Sequence, residues 1–313
     1  MSRSHPFLVA LGDLLLDVVV TPERPIEQGT DVPGTLAFRR GGSAANTAAA
    51  FARLGGSASL ITSVGDDAWA ARLLSALRAD GVRAHAVRRP GNSGRLAALI
   101  GERGDRSFVT QRGVADALEV ADVDARWLRG ADALHVPAYS LFGQPVGAAA
   151  LHTAELARDA AALISTDLSS RGPLLSFGVR RCRARLATLR PDVLFANRDE
   201  AAALLGRAGR RAWVGLLAHA DLVVVKVGVW GCRVLWQDDG ATRQLDVAAV
   251  RVGRKVDTTG AGDAFAAGFL FSLIGSGGRA GGHLDLTLRR AAMAGHRAAG
   301  EALRRGRPDL KLA

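Results

Sequence analysis

The segment Val256-Asp257-Thr258-Thr259-Gly260-Ala261-Gly262-Asp263-Ala264-Phe265 concentrates residue types that can hold an anion and move a proton beside it. Phe265, Phe269 and Leu273 recur at helical spacing, which predicts a helix starting near Gly262 or Asp263. Glycines ahead of a helix let several backbone N–H groups converge with no side chain in the way, and the helix dipole adds positive potential there. A carboxylate in the first turn is stabilised in its ionised form. A hydroxyl held between Asp263 and a phosphoryl group in that cradle would lose its proton as it attacks, which is general-base chemistry set by geometry. The same residues also make an ordinary glycine turn closed by a helix-starting Asp, and so short a motif leaves both readings open.

Three other groups of residues could serve such a centre. Asp13 and Asp17 bracket Leu14-Leu15-Leu16 in a strand-like stretch, and a carboxylate at a strand's carboxyl end suits ligand contact in an α/β sheet. Gly41-Gly42 precedes a helical stretch carrying Asn46 on its first turn. Adjacent glycines there allow a hinge or close ligand approach, while Asn46 among alanines also reads as a plain exposed side chain. Asn197-Arg198-Asp199-Glu200 follows the apolar run Val193-Leu194-Phe195-Ala196. Its spacing is that of a capping box; an Asn and a Glu at a strand end could equally organise a hydrated magnesium ion near phosphates.

Several alternatives fall away. No Gly-x-x-x-x-Gly-Lys-Ser/Thr occurs, so a P-loop is absent, and Leu11-Gly12-Asp13-Leu14 has no dinucleotide-type glycine repeat. Gly41-Gly42-Ser43-Ala44-Ala45 lacks the last glycine of a nucleophile elbow, protein-kinase signatures are missing, and the seven histidines form no metal-spaced pair. Cys182 and Cys232 are too few for a disulfide framework.

The elements that must position these residues alternate in type along 313 residues. Strands are expected at Phe7–Leu11, Leu14–Val20, Ala58–Val64, 131–136, 163–166, 193–196 and 222–227, and helices at Ser43–Leu54 (with a Ser cap) and Asp67–Ala79, with further helical segments between the later strands. Uninterrupted apolar strands separated by helices imply an α/β fold, a mostly parallel sheet covered on both faces. Segment 31–40 and a hairpin of 96–100 with 107–111 have no helix to pair with and should form a small antiparallel flap; a third hairpin joins 232–237 to 242–247. No apolar run approaches the roughly 18 residues of a spanning helix, and the N-terminus has no signal core, which points to a soluble, cytoplasmic protein. Of 41 basic residues, 38 are arginine, and the formal net charge is +11. They are scattered rather than striped, and the densest patch, Arg180 to Arg185, fits the wet face of an amphipathic helix buried through Val179, Cys182, Leu186 and Leu189, which argues against nucleic acid as partner.

Taken in order, these motifs resemble the ribokinase-like, phosphofructokinase-B-type (PfkB) family of sugar and nucleoside kinases. The resemblance rests on Gly41 through Ala48 continuing to Ala52-Arg53-Leu54-Gly55, on Val64-Gly65-Asp66-Asp67, on Asn197 with Glu200, on Val227 to Gly231, and on Asp257 to Asp263; it spans roughly residues 7 to 300. It implies one three-layer α/β/α kinase domain over residues 1–313, with a small antiparallel β lid from segments of about 15–40 and 94–113, closing over substrate and making homodimer contacts. It also implies Asp263 as base, Gly260, Ala261 and Gly262 as anion hole, and Asp13, Asp17, Gly41, Gly42 and Asn46 around the acceptor. Asn197, Glu200, Lys226, Gly228, Gly231 and Thr258 would serve ATP and, through water on Glu200, Mg2+. Asp257 and Thr259 match a monovalent-cation site that would take K+, and Arg171 an anion contact. Leu15 and Ser43 replace an Asn and a Lys of ribokinases, which argues against ribose. The stretch 298–305 lacks the usual glycine-alanine turn beside adenine, and Trp69 replaces a residue that is often small. A small sugar is the acceptor so implied. A nucleoside is the alternative, with Leu15, Phe38 and Phe108 packing on a base; a silent or nucleic-acid-binding protein on this fold is disfavoured because the whole reaction centre is present.

Overall fold

The computed structural model describes residues 5–101, 106–253, 259–277 and 284–310. Its first half contains β1 (Phe7–Leu11), β2 (Leu15–Pro22), β3 (Gly34–Gly41), α1 (Ser43–Arg53), β4 (Ser57–Val64), α2 (Ala68–Ala79), β5 (Val82–Arg88), β6 (Arg95–Ile100) and β7 (Arg106–Gln111). Then come β8 (Ala133–His135), α3 (Tyr139–Phe142), α4 (Val146–Asp159), β9 (Leu163–Asp167), α5 (Arg171–Phe177), α6 (Val179–Leu189), β10 (Val193–Asn197) and α7 (Arg198–Leu205). The last part supplies β11 (Leu222–Lys226), β12 (Cys232–Asp238), β13 (Ala241–Val247), α8 (Ala261–Gly275) and α9 (Leu284–Arg305).

Among the described residues the main sheet has nine strands in the order β13-β12-β11-β10-β9-β8-β1-β4-β5. It is parallel from β11 to β5, and the late hairpin β12–β13 adds two antiparallel strands at one edge. Successive residues of β10 show why it reads as an unbroken apolar run. Val193 and Phe195 enter the core under α1, α2, α8 and α9, whereas Leu194 and Ala196 enter the core under α4, α6 and α7. A strand covered on both faces has no polar side to alternate with. The layers are therefore helix, sheet and helix. Phe195 is fully buried and meets Phe265 and Phe269 of α8 edge-on, with ring centroids 6.3 and 5.4 Å apart, which ties the strand to the helix that carries Asp263. Helix α6 buries Cys182, Leu186 and Leu189 and leaves its arginines outward, as the amphipathic pattern requires.

The second sheet is β3-β2-β6-β7. It was expected to be antiparallel throughout, but β2 and β6 pair in parallel. The chain between them crosses β3, α1, β4, α2 and β5, and a crossover of that length returns the strand in the same direction. Phe38 of β3 stacks on Trp69 of α2 with centroids 5.3 Å apart, so the unexplained tryptophan anchors this sheet to the body. After α9 the chain runs back to β3: the Leu310 N–H donates to Phe38 O at 2.6 Å, and Arg39 Nε donates to Asp309 Oδ1 at 2.9 Å. Among the described residues no helix is long and apolar enough to cross a membrane.

Candidate active site

Helix α8 begins at Ala261, one residue before the expected start, with Gly260 as its N-cap in the left-handed region (φ 79°) and no side-chain cap. The first N–H groups of the helix therefore have no side-chain acceptor competing for them. Asp263 lies in the first turn. Ser43 Oγ donates to its Oδ1 at 2.7 Å and Asn46 Nδ2 to its Oδ2 at 3.0 Å. Burial pushes the Asp263 carboxyl up to about 6, against the pull of those two hydrogen bonds and of Lys226. A carboxylate in that range can take a proton near neutrality.

The start of α1 departs from expectation in an informative way. Its N-cap is Gly42 (φ 97°), not Ser43, and Ser43 is the first helical residue. A Cβ on Gly42 would lie 2.2 Å from Asp13 O, so the tight approach needs glycine. Ser43 is thereby freed from capping and turns to Asp263. Asn46, one turn on, is not an idle surface residue: Arg40 donates to its Oδ1 at 3.1 Å, which fixes its amide with the NH2 toward Asp263.

Asp17, on β2, is 2% exposed. Burial raises its pKa, and the Arg307 guanidinium, which donates to Oδ2 and also to Arg40 O, opposes the rise. Its Oδ1 is buried and has no hydrogen-bond partner among the described residues. A Cβ at Gly41 would lie 1.9 Å from that oxygen, so only glycine leaves room for the carboxylate there. Contacts thus run without a gap from Asp17 through Arg307, Arg40 and Asn46 to Asp263. Asp13 plays a different part: Arg112 donates to Oδ2 at 2.9 Å and the Ala44 N–H reaches Oδ1 at 3.4 Å, so its carboxylate anchors α1 from behind. Arg112 also holds Asp116 at 2.8 Å and lies over the Tyr139 ring.

On the other side of Asp263, Lys226 Nζ pairs with Asp167 Oδ2 and would stand 3.3 Å from a Cβ at Gly262, beside the start of α8. Burial alone would lower the Lys226 pKa; Asp167 and Glu200 reverse this and raise it, so the ammonium stays charged. Asn197 and Glu200 form the capping box that their spacing predicts. Asn197 Oδ1 accepts from the Asp199 and Glu200 N–H groups at 2.9 Å, and its own N–H and Nδ2 donate to Glu200 at 2.7 Å. Burial, with Asp167 adding to it, pushes Glu200 up to about 7. Gly228 and Gly231 sit in a tight turn with positive φ, flanking the exposed Val229 and Trp230. Arg171 is exposed at the start of α5. Arg106 of β7 donates to Thr259 Oγ1 at 2.5 Å, linking the small sheet to the loop before α8. Asp257 and Thr258 lie outside the described residues. The sequence gives no role to Arg40, Arg106, Arg112 or Arg307, and offers Ser43 only as a cap and as the replacement of a ribokinase Lys; each acts on a partner remote in the chain or through a bond that spacing does not encode.

The sequence model of the pfkB family of carbohydrate kinases matches residues 5–309. A probable chloroplastic fructokinase of Arabidopsis thaliana is 31% identical over 87% of this chain and 71% of its own. An ATP-dependent ribose-1-phosphate kinase of Halopiger xanaduensis is 36% identical over 76% of this chain and 74% of its own. Among solved structures, the adenosine kinase of Sinorhizobium meliloti superposes with a TM-score of 0.80 at 25% identity, covering 96% of this chain and 94% of that one. The fructokinase of Vibrio cholerae, solved with fructose, ADP and calcium, has the same fold, with a TM-score of 0.80 at 23% identity over 97% and 94% of the two chains.

Proposed function

The chain belongs to the pfkB family of carbohydrate kinases, and from that premise we propose that it transfers the γ-phosphoryl group of ATP to a hydroxyl of a small sugar. The observation that carries this is Asp263: a carboxylate raised to about 6 at an uncapped helix start, aimed by Ser43 and Asn46. Asp263 takes the proton of the acceptor hydroxyl as its oxygen attacks phosphorus. The new P–O bond forms while the bond to the β-phosphate oxygen breaks, and ADP leaves. The backbone N–H groups of Gly260, Ala261 and Gly262 hold the transferring oxygens, and the Lys226 ammonium adds positive charge beside them.

The unsatisfied Asp17 Oδ1, the backbone at Gly41 and Gly42, and the amide of Asn46 hold the other sugar hydroxyls. The nucleotide runs past Asn197, Glu200 and the Gly228–Gly231 turn, with Thr258 and Arg171 as further contacts. Both Glu200 oxygens already accept from Asn197, and among the described residues no three His, Cys, Asp or Glu side chains gather as a metal site. That donor set suits Mg2+ held chiefly by phosphates and water, with Asn197 and Glu200 ordering the outer waters. When bound, the ion neutralises phosphate charge. A K+ site at Asp257 and Thr259 belongs to the same reading. The chain acts as one kinase domain whose four-stranded sheet covers the acceptor as a lid. Leu36, Phe108 and Val109 on that sheet are more than half exposed, and its edges β3 and β7 favour pairing with a second copy.

A nucleoside acceptor is the second reading, favoured by the likeness to an adenosine kinase. Against it, Phe38 is stacked on Trp69 and Leu15 is buried, which removes two of the three apolar groups that would cover a base. ADP release measured over a panel of sugars and nucleosides tests both. Turnover of sugars is the expected result, a clear nucleoside preference replaces it with the second reading, and release with none of them overturns phosphotransfer.

A further inference from the structure

Resting on that phosphotransfer reading, we propose that the acceptor sugar is anionic, its phosphate or carboxylate seated in an arginine-lined crevice between α1, α8 and α9. The crevice is a cavity of about 60 Å³. Its wall includes Asn46, which donates to Asp263, and Gly260, whose Cβ would lie 3.8 Å from Asp263 Oδ2, so it opens directly beside the base. Asn46, Ala50 and Arg53 share one stripe of α1 at i, i+4 and i+7, and the crevice follows that stripe for roughly 10 Å of helix axis. A small sugar with its reacting hydroxyl at Asp263 would place a substituent at its far end within reach of the arginine side chains.

The chemistry of the lining selects the substituent. Among the described residues, Arg40, Arg53, Arg305 and Arg307 line the cavity, with Glu301 as the one acidic residue in its wall. Behind them, Asp80 takes Arg40 at 3.1 Å on one oxygen and Arg53 at 2.6 Å on the other, while Asp17 takes Arg307. Four guanidinium groups thus meet three carboxyl groups, those of Glu301, Asp80 and Asp17, and Arg305 makes no ion pair with any described residue. Guanidinium groups only donate hydrogen bonds. A sugar hydroxyl accepts such bonds without charge, whereas phosphate and carboxylate present several acceptor oxygens and the complementary charge, which makes the bonds stronger.

The test measures ADP release by the intact enzyme with fructose and ribose, with fructose 6-phosphate, ribose 1-phosphate and ribose 5-phosphate, and with gluconate and ribonate. The expected result is a higher kcat/KM for an anionic acceptor than for either neutral sugar; comparing the phosphates with the acids identifies the anion. In Arg305→Ala the KM for the preferred anionic acceptor should rise about tenfold or more with kcat little changed, as loss of a charge-assisted hydrogen bond implies. Arg305 is exposed at the last residue of α9, so the variant should fold. Preference for the neutral sugars, or an unchanged KM for the anion in Arg305→Ala, overturns the anionic acceptor while leaving phosphotransfer standing. Release with no acceptor at all overturns phosphotransfer itself and this assignment with it.

Discussion

Ser43 donates its hydroxyl to Asp263 Oδ1 at 2.7 Å, joining the first residue of α1 to the first turn of α8 across 220 residues of chain. A hydrogen bond to the ionised form of an acid lowers its pKa, so this bond favours the ionised Asp263 carboxylate near neutral pH. Removing it in Ser43→Ala should move the acidic limb of the kcat/KM pH profile upward. At pH 7 kcat/KM should fall by about two- to tenfold, because one such bond to a charged group is worth about one to two pKa units. A profile that stays in place would mean that the serine does not tune the carboxylate.

Asp263→Asn removes the proposed proton acceptor but keeps the shape. Turnover should fall by about two to four orders of magnitude, while ATP affinity measured by calorimetry stays within a fewfold. Stability should move the other way. The carboxyl is raised from 3.8 to about 6, so its ionisation works against the fold as pH climbs through that interval. The asparagine variant should therefore gain at pH 7, by at most roughly 3 kcal/mol, and show no gain below about pH 4. Urea denaturation at the two pH values checks the sign; a loss at pH 7 would contradict it.

Gly41→Ala tests the space in front of Asp17. Its Cβ would sit 1.9 Å from Asp17 Oδ1, so either the carboxylate or β3 must shift. Unfolding free energy should drop by about 1–3 kcal/mol, the usual cost of overpacking. The KM for the acceptor should rise while the Kd for ATP does not. Equal effects on both ligands would place the damage in the fold as a whole.

The layered architecture was legible because it is written in local pattern. The unbroken apolar run at Val193–Ala196 and the capping box at Asn197 and Glu200 each lie within a few residues and appear where their spacing puts them. The helix with Asp263 in its first turn was legible for the same reason, to within one residue of its start at Ala261. What could not be read are partnerships between distant residues: Arg307 with Asp17, Arg112 with Asp13, Lys226 with Asp167. No periodicity encodes these, since only the closed fold brings them together. Ser43 was misread as a cap because serine favours that position, but the close approach of Asp13 O requires glycine there and shifts the cap back by one. The parallel pairing of β2 with β6 was hidden for a related reason. Hairpin signals describe neighbours in sequence, and these strands meet only after five intervening elements.

The bonds from residues 309 and 310 to β3 carry a mechanical consequence. Asp17 rides on β2, and the tail that delivers Arg307 is stitched to the neighbouring strand. A rotation that swings the small sheet outward would thus carry carboxylate and guanidinium away as one piece, leaving Asp263 and Ser43 behind on the body. A jaw built this way would reach Asp263 with its charges already matched, and the swing would have to remake Arg106 with Thr259, Phe38 on Trp69, Arg95 with Asp67, and Arg40 with Asp80 and Asn46.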